Sequence, residues 1–195
     1  SEIGLDKKTG IELTESSPQV SNAYAVPSYI GQGTNAYTTS QLARYATTIA
    51  TSGTVYDLTL LDRQTDSKGS VLKEYEPNVI NTMDVSQNVW DDIHDGMYRV
   101  VQTHKQFDGL GVQVAGKTGT AEVDGVYHPN HGMFIGYAPA TDPQYAIAVR
   151  IENGYSSGNA CLAADDIFKY IFQLADEQTI LTGVAASDTS DTPND

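Results

Sequence analysis

Apolar residues recur along three segments of this chain at the spacing of one helix face, so three amphipathic helices are expected. The first follows Thr38, which with Gln41 has the spacing of a capping box, and Gly53 is expected to end it in the left-handed C′ conformation. The second begins at Ser86, and the third spans about residues 160–175. The positions predicted to face the core are Leu42, Tyr45, Ala46 and Ile49 in the first helix, Val89, Ile93, Met97, Val100 and Val101 in the second, and Leu162, Ala163, Ile167, Phe168, Ile171 and Leu174 in the third.

Elsewhere apolar and polar residues alternate at every second position, which is the pattern of strands with one buried face. Residues 55–75 alternate around a glycine turn at residues 66–69 and predict a hairpin. Three further strands are expected at residues 112–123, 133–138 and 145–152. With the helices they predict an α+β fold in which an antiparallel sheet packs against helices.

Composition then limits the classes of function. The 195 residues carry 25 acidic and 11 basic side chains, a net charge of −14, which argues against nucleic acid because phosphate binding needs Lys and Arg. Cys161 is the single cysteine, which excludes an internal disulfide and a CxxC site. We expect one domain over residues 1–182 and an acidic, disordered tail over residues 183–195.

One short segment suggests chemistry. Lys117–Thr118–Gly119 lies on a predicted strand, after Gly116 and before Thr120. Lys-Thr-Gly on a strand is the third signature of penicillin-recognising serine enzymes, although three residues alone are a weak signal. The extended segment resembles the Gly-Lys-Thr-Gly-Thr-Ala box of class B penicillin-binding proteins, which are peptidoglycan DD-transpeptidases.

The resemblance extends over about residues 3–175, with several stretches in the family's order. They are Gly31–Gln32–Gly33 with Ala43–Arg44–Tyr45–Ala46, Lys73–Glu74–Tyr75–Glu76–Pro77, residues 131–139, and Glu152–Asn153–Gly154. It implies a penicillin-binding/β-lactamase-like transpeptidase fold, of which this chain is the C-terminal portion. It also implies a substrate ending in D-Ala-D-Ala, recognition of β-lactams, and no metal or organic cofactor.

The resemblance assigns roles on the KTG strand. Lys117 would supply the positive charge for the substrate carboxylate, and Thr118 and Thr120 would supply hydroxyl donors from one strand face. Gly119 would let the substrate backbone add to the sheet edge. The backbone N–H of Thr120 would be an oxyanion donor, so Lys117 and Thr120 are also the catalytic candidates.

The family's first two signatures, SxxK and SxN, have matches at Ser70–Val71–Leu72–Lys73 and Ser86–Gln87–Asn88. We reject both. Ser70 follows a glycine turn on a strand, where residues i and i+3 point to opposite faces, rather than starting a helix beside its lysine. A third match, Ser157–Gly158–Asn159, follows Lys117 and is expected in a loop.

The nucleophile-bearing half and a membrane anchor are therefore expected upstream of Ser1. The partners implied are that missing N-terminal part, peptidoglycan stem peptides, β-lactams and membrane-bound cell-wall synthesis proteins. The implied location is the outer face of the bacterial cytoplasmic membrane. Within this chain no apolar run is long enough to span a bilayer.

Other reactive side chains have simpler interpretations. His131 is expected to pack beside a strand start, His94 and His104 to be solvated on a helix, and Glu122 to be structural. Cys161 is expected to be a buried small residue. His128 is placed in the loop after the KTG strand, near the cleft. Two alternatives of the same fold remain open, namely a β-lactam sensor or class D-like β-lactamase, and a non-catalytic peptide-binding domain.

Overall fold

A computed structural model describes residues 2–21, 28, 31, 33–122 and 129–181. The chain divides into two compact units, Ser1–Val85 and Ser86–Asp195. The predicted tail, His128, Gln32 and the end of the first meander strand at Val123 lie outside the described residues. The assignment of residues 1–182 to one domain stays a prediction.

The first unit contains one helix and two small antiparallel sheets. Its elements are α1 (Thr39–Ala50), β1 (Thr54–Tyr56), β2 (Arg63–Thr65), β3 (Val71–Glu74) and β4 (Val79–Thr82). Strand β1 pairs with β4, and β2 pairs with β3.

Helix α1 begins at the predicted residue, but its left-handed C′ residue lies one position earlier than predicted. The Thr38 side chain accepts from the Gln41 N–H at 3.1 Å, and the Thr38 N–H donates to Gln41 Oε1 at 2.8 Å, so the capping box is confirmed. At the other end Ser52, with φ 51°, occupies the left-handed C′ position, so the assignment of Gly53 to C′ was wrong. The Ser52 N–H bonds to Ile49 O at 3.0 Å and the Gly53 N–H to Thr48 O at 2.8 Å, which together form a Schellman motif.

The buried face of α1 is more polar than predicted. Ala46 and Ile49 are buried, but so are Gln41, Arg44 and Thr48. The Arg44 side chain, 1% exposed, donates to Lys8 O at 2.9 Å, to Lys7 O at 2.8 Å and to Gly4 O. The N-terminal turn is thereby held to α1 by a guanidinium, because a planar fork of donors satisfies several carbonyls together.

A carboxylate joins the N-terminal segment to the start of the same helix. Glu15 accepts from the Thr9 N–H at 2.7 Å, from the Thr38 hydroxyl at 2.9 Å and from the Ser40 hydroxyl at 2.5 Å. Burial acts to raise the pKa of Glu15, but these hydrogen bonds outweigh it, so the net shift is downward. The ionised form is therefore the one that the fold stabilises.

The glycine-turn hairpin is confirmed, but over a shorter range than predicted. Strands β2 and β3 flank the turn, in which the Asp66 N–H bonds to Ser70 O at 2.9 Å and Gly69 has φ 84°. Val55 does not belong to this hairpin, because β1 pairs with β4 instead. Alternation alone cannot distinguish two strands that pair with each other from two that pair elsewhere.

The second unit contains the predicted meander. Its elements are α2 (Gln87–Gln102), a 3₁₀ turn (Lys105–Phe107), β5 (Ala115–Ala121), β6 (His131–Ala138), β7 (Tyr145–Ile151), α3 (Ser157–Ile171) and α4 (Glu177–Leu181). Both strand pairs are antiparallel, in the order β5-β6-β7. Among the described residues, every helix falls short of the length and apolar character needed to cross a membrane.

Helix α3 starts three residues earlier than predicted and buries a different face. Its buried positions are Ser157, Gly158, Asn159, Ala160, Cys161, Ala164, Asp165 and Phe168. Leu162 and Ile167, predicted to be buried, are exposed, as is Leu174 beyond the helix end. Apolar residues occur on more than one side of α3, so periodicity could not show which side is buried. The small residues on the buried side allow the helix backbone to lie close to the sheet.

Helix α2 begins after Ser86 as predicted, and its buried residues are Trp90, Met97 and Val101. Val89, predicted to be buried, is exposed. The aromatic Trp90 takes the core position near the helix start, because burying its larger apolar surface is more favourable.

We expect Arg44→Met to lower the free energy of unfolding by about 2–4 kcal/mol, because the backbone carbonyls of Gly4, Lys7 and Lys8 lose a buried charged donor. Arg63→Met, on the exposed hairpin, is the matched control and is expected to change it little. Urea unfolding followed by circular dichroism measures both. Equal midpoints for the two variants would contradict a stabilising role for Arg44.

The Glu15 network predicts a pH dependence. Because its folded-state pKa lies below the ordinary value of 4.5, Glu15 stabilises the fold above that pH, and the contribution is lost as pH falls through the folded value. We expect Glu15→Gln to destabilise the protein near neutral pH, and the difference from the wild type to shrink as the pH falls below 4.5 and through the folded-state pKa of Glu15. Thermal unfolding across pH 3–7 tests this, with Glu74→Gln on the exposed strand β3 as the control. If the difference in unfolding temperature between wild type and Glu15→Gln were the same at every pH, the proposed dependence on Glu15 ionisation would be wrong.

Candidate functional site

Strand β5, which carries the KTG segment, lies at one edge of the sheet formed by the described residues. Its partner on the other side is β6, in continuous register from Ala115 opposite Tyr137 to Ala121 opposite His131. An edge strand directs alternate backbone N–H and C=O groups away from the sheet, where an extended chain can pair with them. The KTG segment therefore lies on a strand, as predicted, and among the described residues that strand is an edge strand.

The register shows which face each KTG side chain occupies. Thr118 lies opposite Phe134 and Thr120 opposite Gly132, and cross-strand partners share a face. Phe134 belongs to the core against α3, so both threonines are on the α3 side, as the prediction of a shared face required. Lys117, opposite Ile135, is on the other side.

Lys117 nevertheless reaches the neighbouring backbone. Its side chain is exposed, and Nζ donates to the carbonyl oxygen of Thr118 at 2.9 Å. The ammonium thus lies beside the strand backbone at Thr118. A cation held next to the backbone of an edge strand can bind a carboxylate.

The Thr120 hydroxyl contacts a second element that the sequence did not reveal. Its Oγ1 accepts from the N–H of Ser157, the first residue of α3, at 3.3 Å. The approach depends on Gly132, since a Cβ there would lie 2.3 Å from the carbonyl oxygen of Ser156. The sequence signal for this contact was Gly132, and its importance is evident only once the strand register places it opposite Thr120.

Gly116, directly before Lys117, has a structural role. A Cβ at Gly116 would lie 2.3 Å from Phe134 Cζ, and one at Gly136 would lie 2.7 Å from Phe134 Cε1. The two glycines face each other across the ladder, so the Phe134 ring lies directly on their backbones. The first glycine of the motif therefore fixes β5 against the core.

The rejected SxxK and SxN matches do not lie on the KTG strand. Ser70 is exposed beside the hairpin turn, and Ser86 is the N-cap of α2, which agrees with their rejection as SxxK and SxN residues. The match at residues 157–159 was expected in a loop, but it forms the buried first turn of α3. Asn159 there donates to Gly154 O at 2.8 Å, so its amide is a structural group.

Other candidates have ordinary surroundings. His131 starts β6, where its Nδ1 accepts from the Asn153 N–H at 3.1 Å. Cys161 is fully buried, as predicted. His94 and His104 are half-buried, so the expectation that they are solvated was wrong. His94 contacts the ring of buried Tyr137, and burial raises the pKa of that tyrosine to about 12, so its hydroxyl stays protonated near neutral pH.

Family comparison agrees with this arrangement of fold and edge strand. Residues 1–173 match the family described as the penicillin-binding protein transpeptidase domain. The chain therefore belongs to the penicillin-binding protein transpeptidase domain family, and its relatives place it with the class B proteins. The predicted fold class and family are confirmed.

Individual relatives support the same conclusion. The chain is 33% identical over 168 residues to penicillin-binding protein 2B of Streptococcus pneumoniae, covering 76% of this chain and 24% of that protein. It is 34% identical over 149 residues to peptidoglycan D,D-transpeptidase PbpA of Mycolicibacterium smegmatis, covering 74% of this chain and 30% of that protein. Among solved structures, an acyl-enzyme complex of penicillin-binding protein A from M. tuberculosis matches with a TM-score of 0.72 and 27% identity, covering 88% of this chain and 41% of that one.

The chain spans about a quarter of the length of the S. pneumoniae relative. These matches do not favour the β-lactamase, sensor or non-catalytic alternatives. Neither the family match nor the relatives assign a role to Lys117, Thr118, Gly119 or Thr120, and those roles stay predictions.

Proposed function

We propose that this chain is the C-terminal part of a serine DD-transpeptidase domain and forms the carboxylate and oxyanion side of its cleft. The observation that carries the proposal is the Gly-Lys-Thr-Gly-Thr segment on an edge strand, with the Lys117 ammonium against the strand backbone. Relatives named as peptidoglycan D,D-transpeptidases support the reaction class.

The proposed reaction is acyl transfer between peptidoglycan stem peptides. A serine oxygen on the part of the protein outside this chain attacks the carbonyl carbon of a D-Ala-D-Ala peptide bond. The C–N bond breaks and the serine proton passes to the leaving nitrogen, so the terminal D-Ala leaves as the free amine. The amine of another stem peptide then attacks the ester, which releases the serine. A β-lactam would react at the same serine, its ring amide taking the place of the D-Ala-D-Ala bond.

Each residue of the KTG strand has a proposed role. Lys117 binds the terminal carboxylate with a charge-assisted hydrogen bond, and the hydroxyls of Thr118 and Thr120 add neutral donors. Gly119 has no side chain to hinder an extended substrate, since the nearest atom to a Cβ there would be Met133 Cβ at 3.6 Å, on β6. The substrate would therefore pair along the free side of β5.

Strand geometry supports the proposed oxyanion role of Thr120. Residues two apart on a strand direct their N–H and C=O groups to the same edge. The Thr118 carbonyl, which accepts from Lys117, and the Thr120 N–H would therefore share the edge at which the substrate lies. With the N–H of the nucleophilic serine as the second donor, the Thr120 N–H would stabilise the oxyanion in the transition state.

We further propose that the rest of the same protein covers the exposed apolar stripe of α3. Leu162, Ile167 and Tyr170 are exposed on this helix, and Leu174 follows it. Exposed apolar stripes of this kind mark packing surfaces. The S. pneumoniae and M. smegmatis relatives are about three to four times as long as the region matched here, which supports a further part of the protein that could cover this stripe. A membrane anchor in that remaining part would place the domain on the extracytoplasmic face, near other cell-wall synthesis proteins.

We expect Lys117→Ala to slow acylation of the full-length protein by fluorescent penicillin roughly 10- to 100-fold, because a charged hydrogen bond to the carboxylate is lost. Lys117→Arg should retain part of the rate. The control is Lys105→Ala, which removes another exposed lysine of the same unit. Equal rates for wild type and Lys117→Ala would contradict the proposed role.

We expect this chain alone to form no covalent adduct with fluorescent penicillin, because the proposed nucleophile lies outside it. The full-length protein is expected to be labelled. Gel fluorescence after denaturation distinguishes covalent from reversible binding. A covalent adduct on the isolated chain would place a nucleophile within it and would overturn the division of the site that we propose.

A further inference from the structure

We infer that the start of α3 is a positioning element for the KTG strand, acting through the Ser157 N–H on the Thr120 hydroxyl. The inference rests on the proposed function, because it concerns the strand that would bind the substrate. It adds a residue that belongs to neither the KTG segment nor the expected nucleophile region.

The Ser157 N–H is one of the backbone donors that the first turn of a helix leaves without an intrahelical partner. The N-cap residue, Ser156, makes no side-chain capping bond. Thr120 Oγ1 instead accepts from the Ser157 N–H at 3.3 Å, although the two residues are 37 positions apart. A threonine of the sheet edge thus supplies a hydrogen-bond acceptor to the start of a helix.

The distance between the two elements is set by backbone contacts. Gly132 lies opposite Thr120, and a Cβ at Gly132 would lie 2.3 Å from Ser156 O. Any side chain there would displace the start of α3 from the strand. Gly132 therefore allows the start of α3 to lie close to the sheet, and the hydrogen bond from Ser157 to Thr120 joins the two elements.

The turn before α3 is held in an uncommon conformation. Asn153 and Tyr155 have φ of 52° and 64°, which non-glycine residues adopt only when the surrounding structure holds them there. Here the Asn153 N–H donates to His131 Nδ1 at 3.1 Å, and the Asn159 side chain donates to Gly154 O at 2.8 Å. These bonds fix where α3 begins.

The consequence for Thr120 is an oriented hydroxyl. Because Oγ1 accepts from the Ser157 N–H, the hydroxyl's own proton is directed away from that N–H. A hydroxyl that accepts one hydrogen bond also becomes a better donor in the next. The same bond holds the side chain of the residue whose N–H is the proposed oxyanion donor.

Two substitutions at one position separate this role from simple packing. Ser157→Pro removes the N–H, at the first helical position, where proline is well tolerated. The preceding residue, Ser156, has φ −144° and ψ 164°, which suits a residue before proline. Ser157→Ala keeps the N–H and deletes the side-chain hydroxyl, so it is the matched control.

In the full-length protein, we expect Ser157→Pro to slow acylation by fluorescent penicillin about 3- to 10-fold and Ser157→Ala to stay within about twofold. Thr120→Val should also slow acylation, and Thr120→Ser should retain most of the wild-type acylation rate. In the Thr120→Val background, Ser157→Pro should have no further effect, because the bond is already absent. General structural damage would instead slow the double variant further.

A second measurement does not depend on activity or on the folding of Ser157→Pro. Hydrogen exchange at the Ser157 amide should accelerate in Thr120→Val and return towards the wild-type rate in Thr120→Ser. Unchanged exchange in Thr120→Val, or equal acylation of Ser157→Pro and Ser157→Ala, would overturn this inference alone. Absence of any penicillin adduct in the wild-type full-length protein would overturn the proposed function, and the positioning role with it.

Discussion

The second unit depends on one packing contact, the Phe134 side chain lying on the backbones of Gly116 and Gly136. The ring occupies the space that two Cβ atoms would fill, which brings β5, β6 and the core against α3 together. Burying a phenylalanine contributes about 1.5–3 kcal/mol, and close packing of this kind tolerates little change in volume. Because Gly116 directly precedes Lys117, the same contact that stabilises the sheet also fixes where the KTG strand begins.

The candidate site follows from that anchored strand. One side of β5 pairs with β6, and the other side is the edge at which a substrate could pair. Thr118 and Thr120 lie towards α3, whereas Lys117 lies on the opposite face and returns to the strand backbone. Side chains close together in sequence thus lie on both faces of this strand, and under the proposed function these few consecutive residues would bind the substrate.

The first unit is organised by polar contacts. Arg44 and Glu15 tie separate parts of the N-terminal segment to α1, where an amphipathic pattern predicted an apolar face. A buried guanidinium is stable only when its donors are matched with acceptors, here the carbonyls of a turn distant in sequence. The acceptors belong to a segment without periodicity, so no local pattern could predict the match.

The sequence by itself predicted the three longer helices, the glycine-turn hairpin and the meander, because these depend on local periodicity, capping and turn chemistry. The KTG segment was recognised from its resemblance to a family motif, and strand β4 (Val79–Thr82) was not predicted. The sequence also identified Ser70 as a hairpin residue. Only the tertiary structure decided which face of α3 is buried, that β1 pairs with β4, and that Ser157 contacts Thr120. Those outcomes depend on close approach between segments far apart in the chain, where single glycines such as Gly132 decide which backbones can meet.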